Sequence, residues 1–97
     1  MIEKLDNLKN LMQISLEDNQ ITSLASFPEL PNLMEMYLAN NRIPTSREVL
    51  NIKHLNKLII LDMCGNPLTK DPNYRIYSLY HLKKLKVLDG IAVELNE

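Results

Sequence analysis

Residues 11–21 read Leu11-Met12-Gln13-Ile14-Ser15-Leu16-Glu17-Asp18-Asn19-Gln20-Ile21, an L-x-x-L-x-L-x-x-N-x-L frame with isoleucine at two of its leucine positions. The frame returns at Leu33, Met36, Leu38, Asn41 and Ile43, and again at Leu58, Leu61, Met63, Asn66 and Leu68. A truncated fourth copy begins at Leu85 and Leu88 and has no asparagine. Self-similarity of this kind marks a solenoid, in which no unit can bury its apolar face alone and neighbours stack to share one core. Within each copy the Leu-x-Leu alternation turns two side chains inward and leaves the flanking ones outward, as a short strand requires.

The spacing between copies predicts what connects the strands. Leu11 and Leu33 are 22 residues apart, Leu33 and Leu58 are 25 apart, and Leu58 and Leu85 are 27 apart. The first connection keeps an apolar residue at every third position (Ile21, Leu24, Phe27, Leu30, Leu33), which suits a 3₁₀-like or extended segment. The two longer ones read as true helices near 46–54 and 72–82. Thr45-Ser46-Arg47-Glu48 has the capping-box pattern and is followed by Val49, Leu50, Ile52 and Leu55. Asp71-Pro72 offers an N-cap and a first-turn proline, with Ile76, Leu79 and Tyr80 at helical spacing beyond it. Asn19, Asn41 and Asn66 recur where the chain leaves each strand; an amide supplies donors and an acceptor together, so it can satisfy backbone groups at that bend.

Composition removes several function classes. Ninety-seven residues make one domain with a small core, and a net charge of -1 gives no bulk attraction to DNA or an anionic membrane. Cys64 is the single cysteine, so no internal disulfide forms and a reducing, intracellular setting is expected. The first residues lack the apolar run of a secretory signal, and no stretch is long and apolar enough to span a bilayer. With only Gly65 and Gly90, no glycine-rich phosphate loop can form. His54 and His81 have no Cys or His at ligand spacing, and Cys64 has no His-acid pair and reads as a small filler. No cofactor, metal or small-molecule substrate is expected, and no enzyme.

These residues resemble the SDS22-like leucine-rich-repeat family, whose short repeat is matched most closely from Leu11 to Ile43. The end of the chain carries the resemblance further: Asn66-Pro67, Asn73-Tyr74-Arg75 and Leu82-x-x-Leu85-x-x-Leu88-Asp89-Gly90 are similar to the C-terminal cap found in spliceosomal and axonemal members. The resemblance implies an α/β solenoid: a right-handed leucine-rich-repeat superhelix with short parallel strands on the concave face and 3₁₀ or short helices on the convex face. It also implies a helical C-terminal cap, a non-catalytic scaffold that grips a partner protein, and a cytoplasmic or ciliary setting. A single domain over 1–97 is expected, with a repeat remnant at 1–10, repeats near 11–32, 33–57 and 58–84, and the cap near 66–93. Ile2, Leu5 and Leu8 look like the tail of an earlier repeat without its strand. A fragment of a longer array is expected, or a covered first strand, or self-association through the open N-terminal edge.

The strand frame also predicts a partner-binding face. Its outward positions form three rows: Gln13, Glu35, Ile60 and Val87; Ser15, Tyr37, Asp62 and Asp89; Glu17, Ala39 and Cys64. Tyr37, Ile60, Val87, Ala39 and Cys64 make an apolar strip among the acids Glu17, Glu35 and Asp62. None of the eleven Lys and Arg residues falls in these rows. Such a face should repel a phosphate backbone and accept a protein with basic groups around an apolar centre. Tyr37 and Ile60 read equally as interface anchors and as partners for each other, while Asp89 reads as part of the cap turn. Lys83, Lys84 and Lys86, with Arg75 and Lys70, make the cap locally basic, either as a solvated face or as a secondary contact with RNA, tubulin or an acidic protein. The alternatives to protein recognition are an RNA-associated scaffold and a purely structural link in a longer solenoid.

Overall fold

The computed structural model describes residues 8–94. Strands β1 (Gln13–Ser15), β2 (Glu35–Tyr37), β3 (Ile60–Asp62), β4 (Val87–Leu88) and β5 (Ile91–Ala92) form one sheet in chain order. The first four pair in parallel and β5 returns antiparallel to β4. Register aligns Ile14, Met36, Leu61 and Leu88 on the inward row, and Met36, Leu38, Leu61, Met63 and Leu88 are fully enclosed. Each such side chain contributes roughly 1.5–3 kcal/mol relative to exposure. This is the α/β solenoid that the repeat frame predicts.

The first connection has no helix. Leu24, Phe27, Leu30 and Leu33 are buried at every third position, and i to i+3 backbone bonds close its turns at Phe27 and Leu33. The second connection corrects the expectation of a true helix over 46–54: it is a 3₁₀ helix at Ser46–Ile52. Ser46, Val49, Ile52 and Leu55 are buried three residues apart, a period of 3.0 rather than 3.6, and Leu50 is left partly exposed. The capping box does not form either. The Thr45 side chain makes no cap bond, and the Glu48 carboxylate accepts the Leu24 N–H of the preceding coil at 2.7 Å. Glu48 also accepts from Ser23 and Asn51, so it ties two coils together instead of closing its own turn.

The third connection contains a 3₁₀ turn at Pro67–Lys70 and helix α1 (Tyr74–His81). Helix α1 is shorter than the predicted 72–82, and its N-cap is Asn73 instead of Asp71. Asp71 builds the turn before it: its carboxylate accepts the Asn73 N–H at 2.9 Å and the Ser46 hydroxyl at 3.0 Å. Of the predicted apolar positions, Leu79 packs against the core. Tyr74, Ser78 and Leu82 face the core four residues apart, while Ile76 and Tyr80 are 73% and 66% exposed.

The asparagines act as the frame predicts, with a gradient along the stack. Asn66 Nδ2 donates to Leu38 O (2.8 Å) and Met63 O (2.9 Å), and its Oδ1 accepts the Ile43 N–H (3.1 Å). Asn41 repeats this one coil earlier, donating to Leu16 and Leu38 carbonyls and accepting from Ile21. Asn19 is exposed and, among the described residues, donates to its own turn, at Leu16 and Glu17. The residue before each asparagine (Asp18, Asn40, Gly65) has φ between 59° and 79°, a left-handed bend that Asp, Asn and Gly tolerate best.

The far end of the sheet closes on itself. Asp89 (φ 54°) and Gly90 (φ 79°) form the two-residue loop of the β4–β5 hairpin, and positive φ at both centres marks the type I′ turn whose twist suits paired strands. The Arg75 guanidinium donates to Leu88 and Ala92 carbonyls across this hairpin. At the near end, β1 pairs only with β2 among the described residues. Leu8 and Met12 beside it are 43% and 57% exposed, while Ile2 and Leu5, on which the repeat remnant also rests, lie outside the described residues.

Candidate partner-binding face

Register brings the predicted rows together. Gln13, Glu35, Ile60 and Val87 are successive partners across β1 to β4, and Ser15, Tyr37 and Asp62 are partners across β1 to β3. The rows continue past the assigned strands: the Asp18 N–H donates to Ala39 O (2.9 Å) and the Asn40 N–H to Cys64 O (2.8 Å), which aligns Glu17, Ala39 and Cys64. Gln13, Ser15 and Cys64 are exposed; Glu17, Glu35, Tyr37, Ala39, Ile60, Asp62 and Val87 are half-buried. Asp89 both turns the hairpin and stands at the end of the second row, its N–H donating to Leu61 O at 2.9 Å.

Tyr37 has a defined position. Its hydroxyl donates to the Glu35 carboxylate two residues back at 2.6 Å, a charge-assisted bond linking the first and second rows. That bond, followed by burial and the charges of Glu35, Asp62 and Glu17, raises the Tyr37 pKa above its ordinary value. The tyrosine is held as a neutral ring in a negative field.

Asp62, Cys64 and Asp89 hold donor atoms within 4.8 Å of one another, a grouping that no spacing in the sequence announces. Among the described residues these are the side chains that could approach one metal ion together. Both carboxylates are already engaged: Asp89 accepts the Met63 N–H at 2.7 Å and Asp62 accepts the Cys64 N–H at 3.1 Å. Desolvation first, then the bond to Asp62 and the charges of Asp89 and Asp62, push the Cys64 thiol up to about 11. Cys64 is exposed, which corrects the filler expectation, and its thiol stays protonated. Burial raises the Asp89 carboxyl, against the Met63 N–H, the Tyr74 hydroxyl and Arg75, which lower it. Tyr74 has a buried hydroxyl without a well-formed hydrogen bond among the described residues; burial and then the Asp89 charge hold its proton tightly.

The remaining singled-out residues serve the scaffold. His54 lies within 3.0 Å of Pro28 O, bridging two coils. His81 meets Tyr77 and Tyr80 edge-on at 4.7 and 5.0 Å. No helix among the described residues is long and apolar enough to cross a membrane.

Comparison with known proteins agrees with this architecture. U2 small nuclear ribonucleoprotein A' of Arabidopsis thaliana is 36% identical over 103 residues, covering 99% of this chain and 41% of that protein. Leucine-rich repeat-containing protein 36 of Mus musculus is 39% identical over 92 residues, covering 94% of this chain and 12% of that protein. The chain thus spans less than half the length of either relative. Among solved structures, a chain of the Drosophila melanogaster SNF/U2A' complex superposes with a TM-score of 0.66 at 25% identity, over 92% of this chain and 65% of that one. The Mex67 LRR domain from Chaetomium thermophilum superposes with a TM-score of 0.76 at 25% identity, over 97% of this chain and 64% of that one. The family model described as leucine-rich repeat matches residues 1–97, and the chain belongs to that family.

Proposed function

We propose that this chain is a non-catalytic recognition module that holds a partner protein on the outward, concave face of its sheet. Gln13, Ser15, Glu17, Glu35, Tyr37, Ala39, Ile60, Asp62, Cys64 and Val87 are the contact residues in this reading. The observation that carries it is the Tyr37–Glu35 bond at 2.6 Å, beside half-buried Ile60 and Val87. An aromatic ring fixed in advance among apolar neighbours is a low-entropy anchor. The acids around it favour a partner with basic groups about an apolar centre. No cofactor, small-molecule substrate or membrane enters this reading. An intracellular setting, cytoplasmic or ciliary, fits the single cysteine.

Within the family, the 22-residue spacing and the cap wording favour the SDS22-like branch, and Leu33 to Gly90 look like leucine-rich repeat-containing protein nine, a long scaffold of this class. The repeat boundaries at 11–32, 33–57 and 58–84 and the cap at 66–93 follow from the same reading. A second function, an RNA-associated scaffold that engages an RNA-binding protein, draws support from the likeness to U2 A' and to a chain of the SNF/U2A' complex.

The test is affinity capture with mass spectrometry, comparing the wild type with a folded Tyr37→Ala, Ile60→Lys double variant. Loss of one specific protein in the variant supports the face. Identical capture by both refutes the face, and capture of nothing by either leaves a purely structural link. An RNA gel shift at rising salt separates direct RNA contact from association through a protein.

A further inference from the structure

The same turn is built four times on the edge where the chain returns toward each strand. Backbone N–H groups of Leu11, Leu33, Leu58 and Leu85 donate to Leu8, Leu30, Leu55 and Leu82 carbonyls at 3.1–3.2 Å. The two residues inside these turns are Lys9-Asn10, Pro31-Asn32, Asn56-Lys57 and Lys83-Lys84, with no aspartate or glutamate among them. The turns are tied in sequence: Asn32 Nδ2 donates to Lys9 O at 2.9 Å, and Lys57 Nζ donates to Asn32 Oδ1 at 3.2 Å. One edge of an acid-faced molecule is therefore lined with exposed lysines.

Between the third and fourth turns lies an open pocket of about 170 Å³, lined by Lys53, Leu55, Asn56, Leu58, His81, Leu82, Lys83 and Lys84. Buried Leu55, Leu58 and Leu82 supply apolar walls, and three exposed lysines stand at the rim. A dry cavity of about 150 Å³ takes a benzene-sized group, so a single apolar side chain fits this space.

We propose that this pocket docks an acidic peptide segment of a partner protein, with one apolar side chain inserted and flanking carboxylates on Lys53, Lys83 and Lys84. Charge complementarity selects an anionic occupant. The apolar walls select a peptide over RNA, because a phosphate backbone gains nothing from three leucines. The Lys83 ammonium is positioned beside the pocket, 4.3 Å over the exposed Tyr80 ring and donating to Tyr80 O at 2.8 Å. The site lies off the sheet face and does not depend on the function proposed for it.

A labelled peptide of glutamates flanking one leucine, titrated into the full chain, tests this directly. Saturable binding is expected, weakening at least about tenfold in a Lys53→Glu, Lys84→Glu variant and with added salt. Replacing the peptide's leucine by serine should weaken it several-fold. Amide shifts on binding should gather at Leu58, His81 and Leu82 in the wild type, so the reading stands or falls even if the variant misfolds. No saturable binding, or binding indifferent to the leucine, overturns the proposal. So does tighter binding of single-stranded RNA through the same lysines, or self-association of the chain that the variant abolishes. Peptide binding retained by Tyr37→Ala, Ile60→Lys separates this site from the sheet face.

Discussion

The Asp89 carboxylate accepts the Met63 N–H at 2.7 Å, so a side chain of the hairpin turn satisfies a donor at the end of the β3 coil. In the inner coils such donors go to the next coil's backbone, as Leu38 N–H does to Asp62 O. The stack ends here with a carboxylate in place of a further coil. Asp89→Ala leaves that donor unpaired and should lower unfolding stability by about 1–3 kcal/mol. Asp89→Asn keeps an acceptor oxygen and should lose little. Urea unfolding of the two variants checks this; an alanine variant with an unchanged midpoint would contradict it.

Asp89 also sets a pH dependence. Burial lifts its carboxyl above the ordinary 3.8, so the folded chain holds this proton more tightly than the unfolded chain. Its contribution is complete below the unfolded value and is lost as pH rises through the raised folded value. The stability difference between wild type and Asp89→Asn should therefore shift against the wild type as pH rises through that window. Parallel stability curves for the two proteins would contradict the assignment.

The asparagine ladder predicts unequal costs for one substitution. Asn66→Ala removes two donors and an acceptor from buried backbone groups and should cost about 1–3 kcal/mol or more. Asn19→Ala removes exposed bonds within one turn and should cost under about 1 kcal/mol. Equal shifts in thermal unfolding would mean that bonds between coils contribute nothing beyond the local turn.

Cys64 should be exposed yet slow to react. With its pKa pushed up to about 11, little thiolate forms near pH 7 or 8, and a disulfide reagent should modify it more slowly than a free cysteine peptide. Asp62→Asn removes a neighbouring anion while keeping an acceptor oxygen, lowering the pKa and raising the rate. Labelling kinetics at fixed pH decide the point, and a wild-type rate matching the free peptide would rule it out.

Much of the architecture was legible in the sequence. Inward Leu, Ile and Met, outward rows and ladder asparagines recur by position, and a repeated frame fixes the same local geometry each time. Two misreadings have physical causes. Thr45 and Glu48 satisfy a local capping rule, but the Leu24 N–H of the neighbouring coil competes for the Glu48 carboxylate and binds it at 2.7 Å. Val49, Leu50, Ile52 and Leu55 allow either helical period, and the structure buries Ser46, Val49, Ile52 and Leu55 at the 3₁₀ one. The Asp89-Gly90 turn, flanked by Val87-Leu88 and Ile91-Ala92, was a readable hairpin signal overshadowed by the cap motif.

What the sequence determined by itself is the repeat: its strands, its inward set and the rows on its outer face, because all of these follow from position within the frame. What only the tertiary structure decided is which side chains of neighbouring coils meet outside that frame. The Glu48 tie, the gathering of Asp62, Cys64 and Asp89, and the lysine-rimmed pocket between two turns all arise this way. Stacking sets such residues side by side, and no local spacing records which neighbour a side chain will find.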